Sequence, residues 1–226
     1  MRIDFRFSYQ MGNRVKTILK TPLRTVMLVA LMSFGTSAYS ASKTILVLGD
    51  SLSAEYGLVR GEGWVNLLQK KLEAEKISAP IVNASISGET TSGGKGRLPA
   101  LLTKHQPAII VIELGANDAL RGLSLAATQE NLRNMINSAK DMKAKVLLVG
   151  MQIPPNYGGD YTKQFAALFP KLAKETKSSL VPFMLQGVAE KPELFQADRI
   201  HPSAAAHPKI LNNIWPQLKP LISSSK

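Results

Sequence analysis

Residues 44–53 read Thr-Ile-Leu-Val-Leu-Gly-Asp-Ser-Leu-Ser, a short aliphatic run that ends in a glycine and a polar cluster. Residues 44–48 predict a strand that is buried on both faces, because their side chains are apolar almost throughout. The same pattern recurs in Ala-Ile-Ile-Val-Ile-Glu-Leu at residues 108–114. Strands of this kind belong to parallel sheets that carry helices on either side. These two runs therefore predict the class of the fold.

Amphipathic segments alternate with such runs along the rest of the chain. Predicted strands cover residues 44–48, 79–86, 108–114, 145–150 and 180–183. Predicted helices cover residues 62–76, 97–104, 126–143, 160–177 and 203–221. The alternation predicts an α/β fold with three layers, in which about five parallel strands are covered by helices on both faces. Ligands bind beyond the carboxyl ends of the strands in such sheets, so the residues that follow each strand are candidates for a site.

The composition fits one domain that is stable without disulfides or a structural metal. The chain has 226 residues, of which 45% are hydrophobic, and this is enough for one sizeable core. It contains no Cys, which excludes disulfides, thiolate nucleophiles and Cys-ligated metals. Its three His residues are dispersed and lack the spacing of metal ligands, so we expect neither a metal site nor a cofactor.

The first 40 residues have the pattern of an export signal. Basic residues precede a short apolar run at residues 26–34, and the small side chains of Ala38 and Ser40 follow it. We expect cleavage before Ala41, which leaves residues 41–226 as one domain in a periplasmic or secreted location. A membrane anchor is the alternative, but the run has about half of the roughly 20 apolar residues that a spanning helix needs. Met11 is a second candidate for the initiating residue.

The net charge of +12 belongs partly to this N-terminal segment. Residues 1–40 carry six Lys or Arg and one Asp, so residues 41–226 keep 22 basic and 15 acidic residues, a surplus of seven. The basic residues are spread out, with no stripe interleaved with aromatic residues, which argues against nucleic-acid binding. A weak attraction to anionic membrane surfaces is the most that this surplus predicts. We expect the domain to be a monomer.

Polar or glycine-rich groups follow three of the predicted strands, and a fourth group precedes the last helix. They are Gly-Asp-Ser-Leu-Ser at 49–53, Ser-Ile-Ser-Gly-Glu at 85–89, Gly-Ala-Asn-Asp at 115–118 and Asp-Arg-Ile-His-Pro at 198–202. Simple turns between strands and helices do not require these side chains. In the predicted fold, all four groups face one crevice at the carboxyl edge of the sheet.

These groups contain every part that acyl transfer to a serine requires. Ser51 is the candidate nucleophile, His201 the base that removes its proton, and Asp198 the carboxylate that orients the base. The candidate oxyanion donors are the N–H groups of Ser51 and Gly88 and the side-chain amide of Asn117. Gly88 suits this role because its missing Cβ lets the backbone approach a substrate closely. Asp198 and His201 are three residues apart, so they can meet within one turn.

Four other polar residues have simpler interpretations. His105 ends a predicted helix, where a cation favours the helix dipole, and His207 lies at the start of the last helix; we interpret both as structural. Asp118 competes with Asp198 for the triad, but no His is near it in sequence, so we expect it to organise its loop. Arg121 faces either a substrate head group or solvent, and we favour solvent.

The four groups resemble the four blocks of the SGNH (GDSL) hydrolase family, and they occur in the family's order. The resemblance rests on residues 49–53, Gly88, residues 115–118 and residues 198–201, and it extends over nearly the whole chain after residue 40. It implies a three-layer flavodoxin-like α/β/α fold, no metal, and hydrolysis of small-molecule acyl esters and thioesters, of the arylesterase, acyl-CoA thioesterase or lysophospholipase type. It implies the same roles for the residues named above. Ala116 departs from the family pattern, which often has glycine there, so the acyl-chain preference stays open.

Two alternatives to this interpretation remain. The nearer one is a carbohydrate acetylesterase or a protease-like acyl hydrolase that uses the same triad. The other is a non-catalytic periplasmic binding module that has kept the fold. The joint presence of Ser51, Gly88, Asn117, Asp198 and His201 argues against the binding module, because binding alone does not require all five.

Overall fold

Five parallel strands form the centre of the molecule, of which the computed structural model describes residues 43–224. The strands are β1 (Ile45–Gly49), β2 (Ile81–Asn83), β3 (Ile109–Glu113), β4 (Lys145–Val149) and β5 (Ser179–Val181). They lie in the order β2-β1-β3-β4-β5, which is the order of flavodoxin-like folds. The predicted α/β class and the predicted parallel sheet are confirmed. The predicted export signal, residues 1–40, lies outside the described residues.

Helices connect the strands and form a layer on each side of the sheet. They are α1 (Trp64–Ala74), α2 (Thr91–His105), α3 (Ala116–Leu120), α4 (Leu125–Asp141), α5 (Gly159–Thr176) and α6 (His207–Ser223). Helix α1 packs against α6, whereas α4 packs between α2 and α5. Short 3₁₀ turns occur at Pro155–Tyr157, Pro192–Leu194 and Ala204–Ala206. Among the helices of residues 43–224, none combines the length and the apolar character needed to cross a membrane.

The core lies along the two central strands. All five residues of β1 and all five of β3 are buried, as expected for strands covered by helices on both faces. Removing one aliphatic side chain of this kind from water stabilises the fold by about 1.5–3 kcal/mol. Trp64 of α1 and Phe165 and Phe169 of α5 are the largest fully buried side chains. The same two strands end at the site described below, so the best-packed part of the molecule supports it.

The second strand is shorter than predicted. Residues 79–86 were expected to be extended, but only Ile81–Asn83 pair with β1. Beyond Asn83 the chain loses regular strand structure but stays beside β1, since the N–H groups of Ala84 and Ile86 donate to the carbonyls of Val47 and Gly49 at 2.8 and 3.1 Å. The side-chain oxygen of Asn83 accepts from the N–H of Ser85, a local bond of the kind that competes with regular strand structure, and its amide donates to the carbonyl of Ser53.

Helix α2 is longer than predicted, and α3 was not predicted at all. Helix α2 begins at Thr91 rather than near residue 97, because the side chain of Thr90 accepts from the N–H of Gly93 and caps the first turn. Three glycines among the first six residues of α2 concealed its start, since glycine disfavours helix. Gly94 is required by packing: a Cβ there would lie 2.4 Å from a methyl carbon of Leu114. Helix α3 has only five residues, too few to produce a periodic pattern.

Candidate active site

The loop after β1 presents Ser51 at the carboxyl edge of the sheet. The carbonyl of Asp50 accepts from the N–H groups of Ser53 (3.2 Å) and Ala54 (2.9 Å), and this turns the chain directly after the strand. The Asp50 carboxylate accepts from the N–H of Leu52 at 3.0 Å. Ser51 therefore lies within a closed turn, with its side chain half-buried.

The imidazole of His201 joins Ser51 to Asp198. Its Nε2 lies 2.9 Å from the Ser51 hydroxyl oxygen, and its Nδ1 lies 2.6 Å from Oδ2 of Asp198. Ser51 and His201 are 150 positions apart in the sequence, so only the fold brings them together. The three side chains form one hydrogen-bonded series of the kind that activates a serine.

Asp198 and His201 belong to one loop that is closed on itself. Phe195 and Pro202 form an isolated antiparallel bridge at its base. Oδ1 of Asp198 accepts from the N–H groups of Ile200 (2.9 Å) and His201 (3.0 Å). The hydrogen bond from the His201 N–H is the main reason that the pKa of Asp198 is lowered to about 2. The carboxylate is thus charged at neutral pH and holds the His201 Nδ1–H.

Gly88 and Asn117 lie beside the loop that carries Ser51. The N–H of Ile86 donates to the carbonyl of Gly49 at 3.1 Å, which brings the segment before Gly88 to the end of β1. Gly88 has φ of +79°, in the left-handed region that favours glycine. Asn117 lies in the first turn of α3, and its amide donates to Oδ2 of Asp50 at 2.9 Å. An amide carries two hydrogens, so one remains for a substrate oxygen.

A pair of buried acids, Asp50 and Glu113, lies at the base of the loop that carries Ser51. Glu113 ends β3 and is fully buried; its Oε2 accepts from the Ser53 hydroxyl at 2.7 Å and from the Asp50 N–H at 3.3 Å. Burial raises the pKa of Asp50 to about 6. Burial, followed by the neighbouring Asp50 carboxylate, raises the pKa of Glu113 well above its ordinary value. A Cβ on Gly49 would lie 2.7 Å from the Glu113 oxygen, so this packing requires glycine.

Asp118, His207 and His105 have the structural roles that the sequence predicted. Asp118 fixes the start of α2, because it accepts from the backbone N–H of Thr91 at 2.9 Å and from the Thr91 hydroxyl. His207 is buried, and its Nδ1 accepts from the N–H of Trp64 at 3.0 Å, at the first residue of α1. Burial lowers the pKa of His207. His105 is the last residue of α2.

Arg121 is exposed, as predicted. Its guanidinium also donates to the carbonyl of Gly88 at 2.9 Å, a contact that the sequence did not predict. Tyr56 was also missed: its ring centroid lies 4.3 Å from that of His201. Neither contact had a signal in the sequence, since both depend on how separate loops meet. Among residues 43–224, no three His, Cys, Asp or Glu side chains converge as metal ligands.

Comparison with known proteins gives the chain its family. Residues 47–208 match the model of the GDSL-like lipase/acylhydrolase family. The chain is 51% identical to Esterase TesA of Pseudomonas aeruginosa over 81% of its own length and 91% of that protein. It is 43% identical to thioesterase 1/protease 1/lysophospholipase L1 of Escherichia coli, over 81% of its own length and 87% of that protein.

A solved structure agrees with this assignment. The psychrotrophic esterase EstA from Pseudoalteromonas sp., in a structure inhibited by monoethylphosphonate, is 42% identical to this chain and superposes with a TM-score of 0.77. The alignment covers 81% of this chain and 100% of that one. The resemblance inferred from the four sequence groups is therefore confirmed. The chain belongs to the GDSL-like lipase/acylhydrolase family.

Proposed function

We propose that this chain is a serine hydrolase that cleaves carboxylic esters and thioesters through an acyl-enzyme on Ser51. The observation that carries the proposal is the hydrogen-bonded series from Asp198 through His201 to Ser51, with both contacts at or below 2.9 Å. A serine hydroxyl is a weak nucleophile until a neighbouring base removes its proton, and this series supplies the base already in contact.

Each triad member has one role in the proposed reaction. Oγ of Ser51 attacks the substrate carbonyl carbon while Nε2 of His201 takes the hydroxyl proton. The imidazolium then donates that proton to the departing alcohol or thiol, and the acyl group remains on Ser51 as an ester. Water repeats both steps and releases the acid. Asp198 keeps the Nδ1–H directed toward itself and stabilises the charged imidazolium.

Amide donors stabilise the negative oxygen that forms in each step. We assign this role to the N–H groups of Ser51 and Gly88 and to the second hydrogen of the Asn117 amide. Support comes from the left-handed backbone at Gly88 and from the hydrogen bond that fixes Asn117 to Asp50. Donors that are held before the reaction do not have to reorganise as charge develops.

An apolar rim around the crevice supports an acyl substrate. Six large apolar side chains are 43–71% exposed on the loops at this edge of the sheet: Tyr56, Val59, Ile86, Leu123, Tyr157 and Ile200. An acyl chain laid across them removes apolar surface from water on both partners. The names of the two relatives include esterase, thioesterase and lysophospholipase, and we extend these substrate classes to this chain.

Two experiments test the function. A fluorophosphonate probe is expected to label the wild-type protein and not the Ser51→Ala variant, whereas a binding module would remain unlabelled. A panel of aryl esters, acyl-CoA, lysophospholipid, acetyl-xylan and peptide esters then separates the substrate classes. Turnover of acetyl-xylan alone would favour the carbohydrate acetylesterase, and peptide esters alone would favour the protease-like hydrolase.

We further propose that the protein acts outside the cytoplasm as a monomer, with at most weak attraction to membrane surfaces. The basic segment and the apolar run within residues 1–40 support export. Mass spectrometry of the protein from an exporting host tests this, with an N-terminus at Ala41 as the expected result. An uncleaved chain would contradict it.

A further inference from the structure

The two reacting side chains lie on loops that are far apart in the sequence. Ser51 lies in the loop after β1, and His201 lies in the loop bridged by Phe195 and Pro202. The 2.9 Å contact between Ser51 and His201 therefore depends on how one loop is held against the other. We use the names nucleophile loop for residues 50–63 and histidine loop for residues 195–202.

The side chain of Gln196 connects these two loops. Its Nε2 donates to the carbonyl of Tyr56 in the nucleophile loop at 2.8 Å, and to the carbonyl of Pro202 in the histidine loop at 3.0 Å. A primary amide has two hydrogens, so both donors are in use. The backbone N–H of Gln196 donates to the carbonyl of His201 at 2.8 Å. One residue thus bonds to both loops and directly to the backbone of the catalytic base.

Close packing fixes the glutamine in this position. Gly57 has φ of +70°, and a Cβ there would lie 2.1 Å from Oε1 of Gln196. The backbone of the nucleophile loop therefore passes directly against the glutamine side chain. Next to this contact, the ring of Tyr56 lies against the imidazole of His201, and the Tyr56 N–H donates to the carbonyl of Ser51 at 3.3 Å. The contacts form a closed circuit through Ser51, Tyr56, Gln196 and His201.

We propose that Gln196 is a positioning residue for acyl transfer, whose amide fastens the histidine loop to the nucleophile loop and so sets the separation of imidazole and hydroxyl. This inference rests on the proposed roles of Ser51 and His201. The bonds of the Gln196 side chain go to two backbone carbonyls, so its effect passes through the loops. Its loss slows proton transfer more than it weakens substrate binding, because three residues of the apolar rim, Ile86, Leu123 and Tyr157, lie on other loops.

Replacement of the amide by an apolar group of similar length tests this role. Gln196→Met removes both donors and keeps the bulk beside Gly57. We expect kcat for an aryl ester to fall about 10- to 100-fold, because small misplacements of reacting groups cost this much, while KM stays within about twofold. Gln69→Met is the matched control: Gln69 lies on α1, and its side chain donates to Glu73 of the same helix at 2.8 Å. Its kcat and KM should equal those of the wild type.

The split between kcat and KM distinguishes positioning from general destabilisation, and circular dichroism melts verify that each variant is folded. A folded Gln196→Met protein with kcat within twofold of the wild type, or with only KM raised, would overturn the inference.

Ser51→Ala, measured beside it, separates the positioning role of Gln196 from the proposed acyl-enzyme on Ser51. If Ser51→Ala is inactive and Gln196→Met is not, only the positioning role fails. If Ser51→Ala keeps wild-type turnover, both fail. Should Gln196→Met not fold, Gln196→Asn replaces it, with the same expected split, because the shorter amide cannot reach both carbonyls.

Discussion

The side-chain amide of Asn117 donates to the carboxylate of Asp50 at 2.9 Å, and Asp50 is the residue directly before Ser51. A donor from the start of α3 is thus tied to the turn that carries the nucleophile. The hydrogen bond uses one of the two amide hydrogens and fixes the direction of the other. Asp50 was not predicted as a site residue, yet the placement of Asn117 depends on it.

Removal of the Asn117 amide should slow the chemical step. Loss of one preorganised oxyanion donor costs about 10²–10³ in kcat elsewhere, and we expect the same range for Asn117→Ala, with little change in KM. Steady-state kinetics with an aryl ester measures both constants. Asn134→Ala, on an exposed position of α4, is the control. An unchanged kcat would remove Asn117 from the mechanism.

The buried acid Asp50 should make stability depend on pH. Its pKa rises from 3.8 to about 6 on folding, so the folded state holds the proton more tightly and stability falls as pH rises through this window. Asp50→Asn cannot ionise, so the variant does not lose stability in this way as pH rises. It also lacks the charge that raises the pKa of Glu113. The free energy of unfolding of the variant relative to wild type should therefore increase by about 2 kcal/mol between pH 4 and pH 7. Urea denaturation at the two pH values measures it, and a constant difference would contradict it.

The left-handed backbone at Gly88 allows a test with a matched control. Gly88 has φ of +79° and Gly122 has φ of +67°, and neither site would place a Cβ closer than 3.5 Å to another group. Alanine at either position should destabilise the fold by about 1–2 kcal/mol, because a side chain is strained in this region. Only Gly88→Ala should also lower kcat, since it displaces an oxyanion donor. Equal kcat values in the two variants would exclude Gly88 from this role.

The charge of Asp198 predicts the form of the pH profile. With a pKa of about 2, Asp198 is ionised throughout pH 5–8, so a rise of kcat/KM over this range does not come from Asp198. Because Asp50 has a pKa of about 6, a histidine base predicts that the rise persists in the Asp50→Asn variant. Asp198→Asn keeps an oxygen for the N–H groups of Ile200 and His201 but presents an amide donor to Nδ1, which selects the wrong tautomer. We expect kcat to fall about 10²- to 10⁴-fold. A flat wild-type profile would argue against a histidine base.

Local patterns in the sequence were sufficient to predict the fold class and the central strands of the sheet. The apolar runs at residues 44–48 and 108–114 predicted the two central strands, because full burial leaves a continuous apolar signal. The strand β2 was predicted too long, because regular strand structure ends at Asn83, where a local bond from the Ser85 N–H to the Asn83 side chain leaves no mark in the periodicity. The first turn of α2 was missed because the cap by Thr90 outweighed its glycines.

The site was predictable where chemistry constrains residue type, and unpredictable where only geometry does. Ser51 and His201 were named from the sequence, and the fold brings them to 2.9 Å. The contacts of Gln196, Tyr56 and Arg121 were not predicted. Each is made to a backbone carbonyl or to a ring face, which many residue types could offer. Such contacts depend on where the loops meet in the fold, and local patterns in one sequence do not reveal this.

The central claim is that one hydroxyl carries the acyl group. The most direct measurement is the turnover of p-nitrophenyl acetate by purified Ser51→Ala protein beside the wild type. The account predicts that only residual rate enhancement survives, about 10³–10⁴ over water, from the amide donors and substrate binding. Turnover equal to that of the wild type would contradict it.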